Sequence, residues 1–299
     1  MTTELIERPR SCRLCSAQDL DVAYEGRIRA GKPGNLTEGQ HTVWRCASCG
    51  VGFLGAAIEV DYESGEYRTL VDGSVSVEQF YALHDPEQQQ KLEAIGLEIM
   101  RNAVVMDVGC GAGSFLDLVK GFSQSTIGIE PTEAYHSTLT AKGHLAFPYC
   151  TDVTDAWRGQ VDLATCFSVI EHVDDPVDLV ESIRRQLGSN GELILSTPNH
   201  RDWLLELLPQ EYAAFFYRTV HKWYFDERSI RHLARAAGFR KCEVSYHQRF
   251  DWSNFALWLR DKKPTGNGKL QVARAVDLAF RNWLEEEGRA DYIYARLQA

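Results

Sequence analysis

The sequence predicts an α/β fold in which a doubly wound, mostly parallel seven-stranded sheet carries a small N-terminal cysteine module and helical insertions. Three observations predict it. From about residue 101 onward, short apolar runs suited to buried strands alternate with stretches of helical period. The run VVMDVGCGAGSF at 104–115 reads as a buried strand, a tight glycine turn and the opening of a helix. Near the N-terminus, Cys12, Cys15, Cys46 and Cys49 form two C-x-x-C pairs, set apart from the scattered Cys110, Cys150, Cys166 and Cys242.

Taken in order, residues 1–60 are assigned to the cysteine module, with a Gly/Pro-bearing loop at 31–39 and a strand at 41–45 that leads into the second pair. Two such pairs can place four thiolates around one tetrahedral Zn²⁺, as in a zinc ribbon, with two disulfides or free thiols as the alternative. Four cysteines leave no open coordination position, so the expected role of the metal is structural. Residues 61–100 form a linker, and the apolar pattern of 77–100, interrupted by Pro86, predicts two helices before the first core strand. Strands are expected at 103–108, 126–130, 144–147, 161–167, 191–197, 241–248 and 291–297. Helices are expected at 113–121, 132–142, 176–187 and 227–237, with Gly143, Gly188 and Gly238 at or just past their C-termini. Pro176 suits the first turn of its helix, and Asp174 or Asp175 its N-cap.

Two segments fall outside the repeat. Residues 199–224 insert an aromatic-rich stretch after the fifth strand, at the edge where open α/β sheets bind ligands, and are expected to form a substrate lid, with ordinary core aromatics at helical spacing as the alternative. Trp203, Tyr212, Phe215, Phe216, Tyr217, Trp223 and Tyr224 would suit a flat or partly apolar acceptor. Residues 250–288 insert a second helical stretch, suited either to cover the site or to make the subunit contact of a homodimer.

The glycines at 109, 111 and 113 let the backbone take positive φ and let a ligand lie directly on it. Their spacing is G-x-G-x-G and not the G-x-G-x-x-G of a pyrophosphate site. About twenty residues on, STIGIE at 125–130 ends in Glu130, placed to accept from two ribose hydroxyls. VDLATCF at 161–167 then runs into SVIEHVDDP. On these three ordered motifs the chain resembles the class I S-adenosylmethionine-dependent methyltransferases over roughly residues 101–250. The resemblance implies a Rossmann-like fold, S-adenosyl-L-methionine as cofactor and a set of site residues. Gly109, Cys110, Gly111 and Gly113 would surround the methionine part with backbone, and Asp107 would order that loop or hold the amino group. Glu130 would take the ribose. Asp152 would accept from the adenine amine beside Val153, with a turn-capping role for Asp152 as its structural alternative. Phe167 and Ser168 would stand beside the sulfonium. Tyr62, Tyr67, Arg68 or His84, from the segment before the core, would face the cofactor, with a surface helical hairpin whose aromatics merely pack as the equal alternative.

Where the acceptor must lose a proton, His172 is the first candidate base, because it follows the fourth strand and an imidazole takes protons near neutral pH. His221 in the lid is the second. Relatives with an N-terminal zinc module that methylate sugar carbons bring Glu171, Tyr67 and Lys222 into the same group. The expected activity is methyl transfer to a small-molecule acceptor: a sugar, a nucleotide sugar or another secondary metabolite. An RNA methyltransferase that grips nucleic acid through the zinc module is the alternative enzyme, and a non-catalytic S-adenosylmethionine-binding interaction module the alternative without catalysis. A formal net charge of −10 and a pI near 5.4 disfavour a nucleic-acid partner. No apolar run reaches the length of a membrane span, and the first ten residues carry no apolar leader segment, so a cytoplasmic location is expected.

Overall fold

The computed structural model describes residues 8–56, 59–64, 76–266 and 268–299. The chain divides into two compact units, one built from residues 1–59, 197–232 and 245–293 and the other from 60–196, 233–244 and 294–299.

The second unit holds the core of a seven-stranded sheet. Its strands are β4 (Val104–Val108), β5 (Ser125–Ile129), β6 (Leu145–Phe147), β7 (Val161–Phe167), β8 (Leu187–Pro198), β10 (Lys241–His247) and β11 (Tyr292–Gln298), in the order β10-β11-β8-β7-β4-β5-β6. The pairings β7–β8, β4–β7, β4–β5 and β5–β6 are all parallel. Every residue of β4 is buried, as expected of a central strand covered on both faces, which is why its sequence is apolar without alternation. The chain runs outward in one direction through β5 and β6 and in the other through β7 and β8. The carboxyl ends of β4 and β7 therefore flank the switch point where such sheets bind ligands.

Helices α2 (Ser114–Val119), α3 (Glu133–Ala141), α4 (Pro176–Arg184) and α7 (Glu227–Ala236) alternate with the strands. Asp175 caps α4 by accepting from Val177 N at 2.9 Å and Asp178 N at 3.0 Å, and Pro176 occupies the first turn, where its missing N–H costs nothing. Gly143 and Gly238 follow α3 and α7 as expected. Gly188 does not cap a helix. Helix α4 stops at Arg184, and β8 already begins at Leu187, paired with Val161, so Gly188 lies inside a strand. The linker also departs from expectation. A single helix, α1 (Val77–Ile95), runs through Pro86, and only a 3₁₀ turn at Glu98–Met100 follows. Phe80 anchors α1 against Ala112 and Tyr135, and this packing outweighs the hydrogen bond that proline removes.

The first unit is organised by an antiparallel sheet of β1 (Leu20–Gly26), β2 (His41–Cys46), β3 (Gly52–Leu54) and β9 (Trp223–Tyr224). The last pairing, Phe53 with Trp223 and Gly52 with Tyr224, puts the cysteine module and the 199–224 insertion on one sheet. Helices α5 (Trp203–Leu207), α6 (Glu211–Phe216), α8 (Trp252–Asp261) and α9 (Arg274–Glu286) complete the unit. Its core joins Ile28, Val43, Leu54, Phe216, Tyr224 and Trp258. Of the aromatics expected to face an acceptor, Tyr212, Phe216, Tyr217 and Tyr224 are buried among these neighbours and Trp223 is buried near Phe53, so much of the insertion's aromatic surface serves packing. Among the described residues, no helix is long and apolar enough to cross a membrane.

Candidate active site and metal centre

Asp107 sits in β4 opposite Gly128 of β5 and Thr165 of β7. After it, the chain turns through Gly109, Gly111 and Gly113, with φ of 77°, 55° and 91°. At Gly109 the requirement is steric as well as conformational: a Cβ there would meet Val169 Cγ2 at 2.4 Å. Gly128 is glycine for a related reason, since a Cβ would lie 2.7 Å from Cys110 Sγ. The loop is held from α1 by Tyr81, whose hydroxyl donates to Ala112 O at 2.6 Å, and by Ser114, which donates to Asp85.

Two buried carboxylates meet this turn. Glu130, directly after β5, accepts from Gly111 N at 2.8 Å through Oε2 and from Thr132 N at 3.0 Å through Oε1. Each oxygen has one lone-pair position spoken for and one remaining, the acceptor pattern that two adjacent hydroxyls of a ribose require. Asp107 Oδ1 accepts from Thr165 Oγ1 at 2.6 Å. Complete burial pushes the Asp107 carboxyl up to about 6; the Thr165 hydrogen bond and the positive charge of Lys91 oppose the rise, and Glu130 adds to it. The site therefore favours a cation near Asp107. A cradle without Cβ atoms, a carboxylate with spare acceptor positions and a desolvated carboxylate that gains from a positive charge all fit S-adenosylmethionine.

The other expected cofactor residues divide. Phe167 ends β7 and is almost fully buried, with Phe115 edge-on at 5.2 Å and Lys91 over its ring at 5.1 Å. Ser168 follows in the left-handed region at φ 56°, a costly conformation for a residue with a Cβ and typical of functional turns. Val153 is buried, whereas Asp152 is exposed. Its carboxylate accepts from Tyr149 N at 3.1 Å and closes the 3₁₀ turn at Cys150–Asp152, the capping role recognised as its structural alternative. Tyr62 lies edge-on to His172 with ring centroids 6.3 Å apart, and its backbone carbonyl accepts from Thr132 Oγ1 at 2.8 Å. His84 packs within its own helix, 4.4 Å from the Phe80 ring and 3.8 Å from Glu87. Tyr67 and Arg68 lie outside the described residues.

His172 belongs to the second unit and is buried beside the buried Glu171. His221 belongs to the first unit, also buried, with Arg218 Nη1 at 3.4 Å from its Nε2. Lys222 is buried there too. Sequence reasoning missed Thr165 and Tyr81. Thr165 was visible as the one hydroxyl in the strand VDLATCF, but a polar residue on a fully buried strand acquires meaning only once its neighbour across the sheet is known.

In the first unit the Sγ atoms of Cys12, Cys15, Cys46 and Cys49 all lie within 4.8 Å of one another. Cys12 and Cys49 are separated by 3.7 Å and Cys15 and Cys46 by 3.6 Å, and no disulfide joins them. A tetrahedral Zn²⁺ with Zn–S bonds of about 2.3 Å would separate its sulfurs by roughly 3.8 Å. Leu14 N and Cys49 N each point at a sulfur at 3.4 Å, those of Cys12 and Cys46, as donors that stabilise thiolates. The donor set fits zinc, and among the described residues the group comprises these four thiols alone.

A family model described as a methyltransferase domain matches residues 81–244, more than half of the chain. The ubiquinone biosynthesis O-methyltransferase of Thiobacillus denitrificans is 28% identical over 155 residues, covering 47% of this chain and 66% of that protein. Its counterpart in Bradyrhizobium diazoefficiens is 30% identical over 128 residues, covering 40% of this chain and 50% of that protein. The matches thus span only between half and just under two thirds of these relatives' own length. In fold, the chain is similar to a SAM-dependent methyltransferase from Archaeoglobus fulgidus, with a TM-score of 0.51, 16% identity and coverage of 74% of this chain and 97% of that one.

Proposed function

Because the chain belongs to the methyltransferase-domain family, we propose that it transfers the methyl group of S-adenosylmethionine to a small-molecule acceptor, a sugar, a nucleotide sugar or another secondary metabolite. The observation that carries this is Glu130, buried at the end of β5 with Gly111 N and Thr132 N on its two oxygens and acceptor positions left over. Glu130 would hold the ribose hydroxyls, the backbone of Gly109–Gly113 the methionine part, and Asp107 the positive end. Val153 and Phe167 would flank the adenine and the sulfonium, with Asp152 and Ser168 beside them. The cofactor supplies an electrophilic methyl group on a sulfonium. The protein's part is alignment and exclusion of water, which needs few catalytic side chains.

His172 would take the acceptor's proton, with His221 as the second candidate. Cys12, Cys15, Cys46 and Cys49 would hold one structural Zn²⁺. The names of the similar curated proteins support a small molecule over a macromolecule as acceptor, and the acidic composition supports the same choice.

The test is transfer of labelled methyl from S-adenosylmethionine to a panel of phenols, sugars and nucleotide sugars, with His172→Gln alongside. Loss of a general base lowers kcat by roughly 10²–10⁴-fold while cofactor affinity stays the same. Unchanged kcat in His172→Gln would remove His172 from the mechanism. Transfer to RNA, and to none of the small molecules, would overturn the acceptor class.

A further inference from the structure

The first unit contains a cavity of about 920 Å³ that none of the cofactor residues lines. Its walls are the rings of Trp203, Tyr212, Phe215, Phe250, Phe255 and Trp258. Most are fixed by one another: Trp203 stacks on Phe255 at 5.1 Å and 16°, and Trp258 meets Tyr212 edge-on at 4.9 Å and Phe215 at 5.0 Å. Walls held in this way need little reordering when a ligand enters, so a flat apolar body gains contact area at small entropic cost.

Three acids, Asp202, Glu211 and Asp291, and three bases, Arg29, Lys262 and Lys263, line the cavity. Of the three acids, Glu211 is paired with Lys262 at 2.9 Å and Asp291 with Arg249 at 2.7 Å. The third, Asp202, is buried, accepts from Leu204 N at 2.9 Å and Tyr212 Oη at 2.6 Å, and is pushed up to about 7 by burial and by Asp291. On the basic side Arg29 and Lys263 line the same cavity. The Arg29 guanidinium lies over the Phe215 ring at 4.4 Å, which fixes its plane against the aromatic wall, and Arg29 is only 9% exposed.

We propose that this cavity binds a flat aromatic or polycyclic molecule that carries one anionic group, a carboxylate or a phosphate, with its rings against Trp203, Phe255 and Trp258 and its anion between Arg29 and Lys263. A guanidinium held in plane gives such an oxyanion two donors at once, and the partly desolvated setting strengthens the contact. The proposal rests on the first unit's cavity alone and goes beyond the methyl-transfer reading.

The experiment is calorimetric titration of 2-naphthoate, 2-naphthyl phosphate and the neutral 2-naphthylmethanol into the whole chain. It is repeated on Lys263→Glu, at an exposed position, on Arg29→Lys, and on Ala214→Trp, which would fill the cavity with an indole. S-adenosylhomocysteine is titrated into the same samples, with far-UV circular dichroism as the check on folding. One saturable site for at least one of the anions is expected, weakened roughly tenfold or more by Lys263→Glu, the loss of about one charge-assisted contact. Ala214→Trp is expected to abolish it while S-adenosylhomocysteine affinity is unchanged. The proposal is overturned if neither anion saturates wild type, if the neutral alcohol binds as tightly, or if folded Ala214→Trp still binds. Should Ala214→Trp not fold, Lys263→Glu and Arg29→Lys decide, and equal affinity in both overturns it. Failure here with intact S-adenosylhomocysteine binding leaves the methyltransferase reading standing. The reverse pattern contradicts that reading and not this one.

Discussion

At the scale of single residues, the glycine turn after β4 depends on a few side chains whose removal has calculable consequences. Glu130 satisfies two backbone N–H groups, so Glu130→Ala leaves both without it at an expected cost of about 1–3 kcal/mol each, read as a lower unfolding midpoint in urea. Glu130→Gln keeps one carbonyl acceptor and should recover part of that loss. Asp107 makes a pH prediction. Its folded-state pKa is about 6 against an ordinary value near 3.8, so the folded protein binds more protons than the unfolded chain between those values. This group's contribution to stability is therefore greatest below about 4 and declines as pH rises to about 6. Cofactor affinity should run the other way, because the ionised carboxylate is the form that favours the cofactor's positive charge: affinity falls as pH is lowered through 6. Asp107→Asn should flatten that profile, and an unchanged profile would show that another group titrates. That Asp107, the glycines and Glu130 adjoin one another was legible in the sequence, because their spacing is local to one βαβ unit. The sequence did not show Thr165 donating to Asp107, which requires two strands separated by more than fifty residues to be neighbours.

At the scale of elements, the alternation of strand and helix was legible to within a few residues, and the departures have physical causes. Strand β8 starts at Leu187 rather than 191, because pairing with Val161 extends it through the polar stretch Gly188–Gly191, which no apolar pattern marks. Helix α1 survives Pro86 because Phe80 is anchored against Ala112 and Tyr135. Pro86→Ala should therefore raise stability by on the order of 1–3 kcal/mol in thermal or urea unfolding. A loss of stability would mean that packing uses the distortion. The four cysteine sulfurs lie within 4.8 Å of one another, and the Cys12–Cys49 and Cys15–Cys46 separations of 3.7 and 3.6 Å are near those around a tetrahedral zinc. Metal analysis is expected to find about one zinc per chain. Chelation should lower the unfolding temperature, and Cys46→Ser should lose the metal with the same effect. A chain that carries no zinc as purified and ignores chelator would contradict this.

At the scale of the whole molecule, the seven-stranded sheet followed from the order of local patterns, but the composition of the first unit did not. That unit gathers three stretches, the first separated from the other two by more than a hundred residues, and it is joined by the two-residue strand β9, too short to leave a periodic signal. The rings of the aromatic insertion cluster in sequence, a pattern that suits a lid and core packing alike. The structure shows most of them holding β1–β3 and α8 together, with Trp203, Tyr212 and Phe215 lining the cavity described above. A ligand specific to the folded chain should stabilise it by mass action, by about 2.7 kcal/mol at a hundredfold excess over Kd. The central claim is that the turn from Asp107 to Gly113, with Glu130, binds S-adenosylmethionine. It is tested most directly by calorimetric titration of S-adenosylhomocysteine into the folded chain, with Glu130→Gln and Gly109→Val beside wild type. One site per chain is expected in wild type, weakened at least tenfold in Glu130→Gln, which keeps the fold but loses the anionic acceptor. Gly109→Val should lose binding altogether, since its side chain would collide with Val169. No heat of binding to folded wild type, or equal affinity in all three proteins, would contradict the claim.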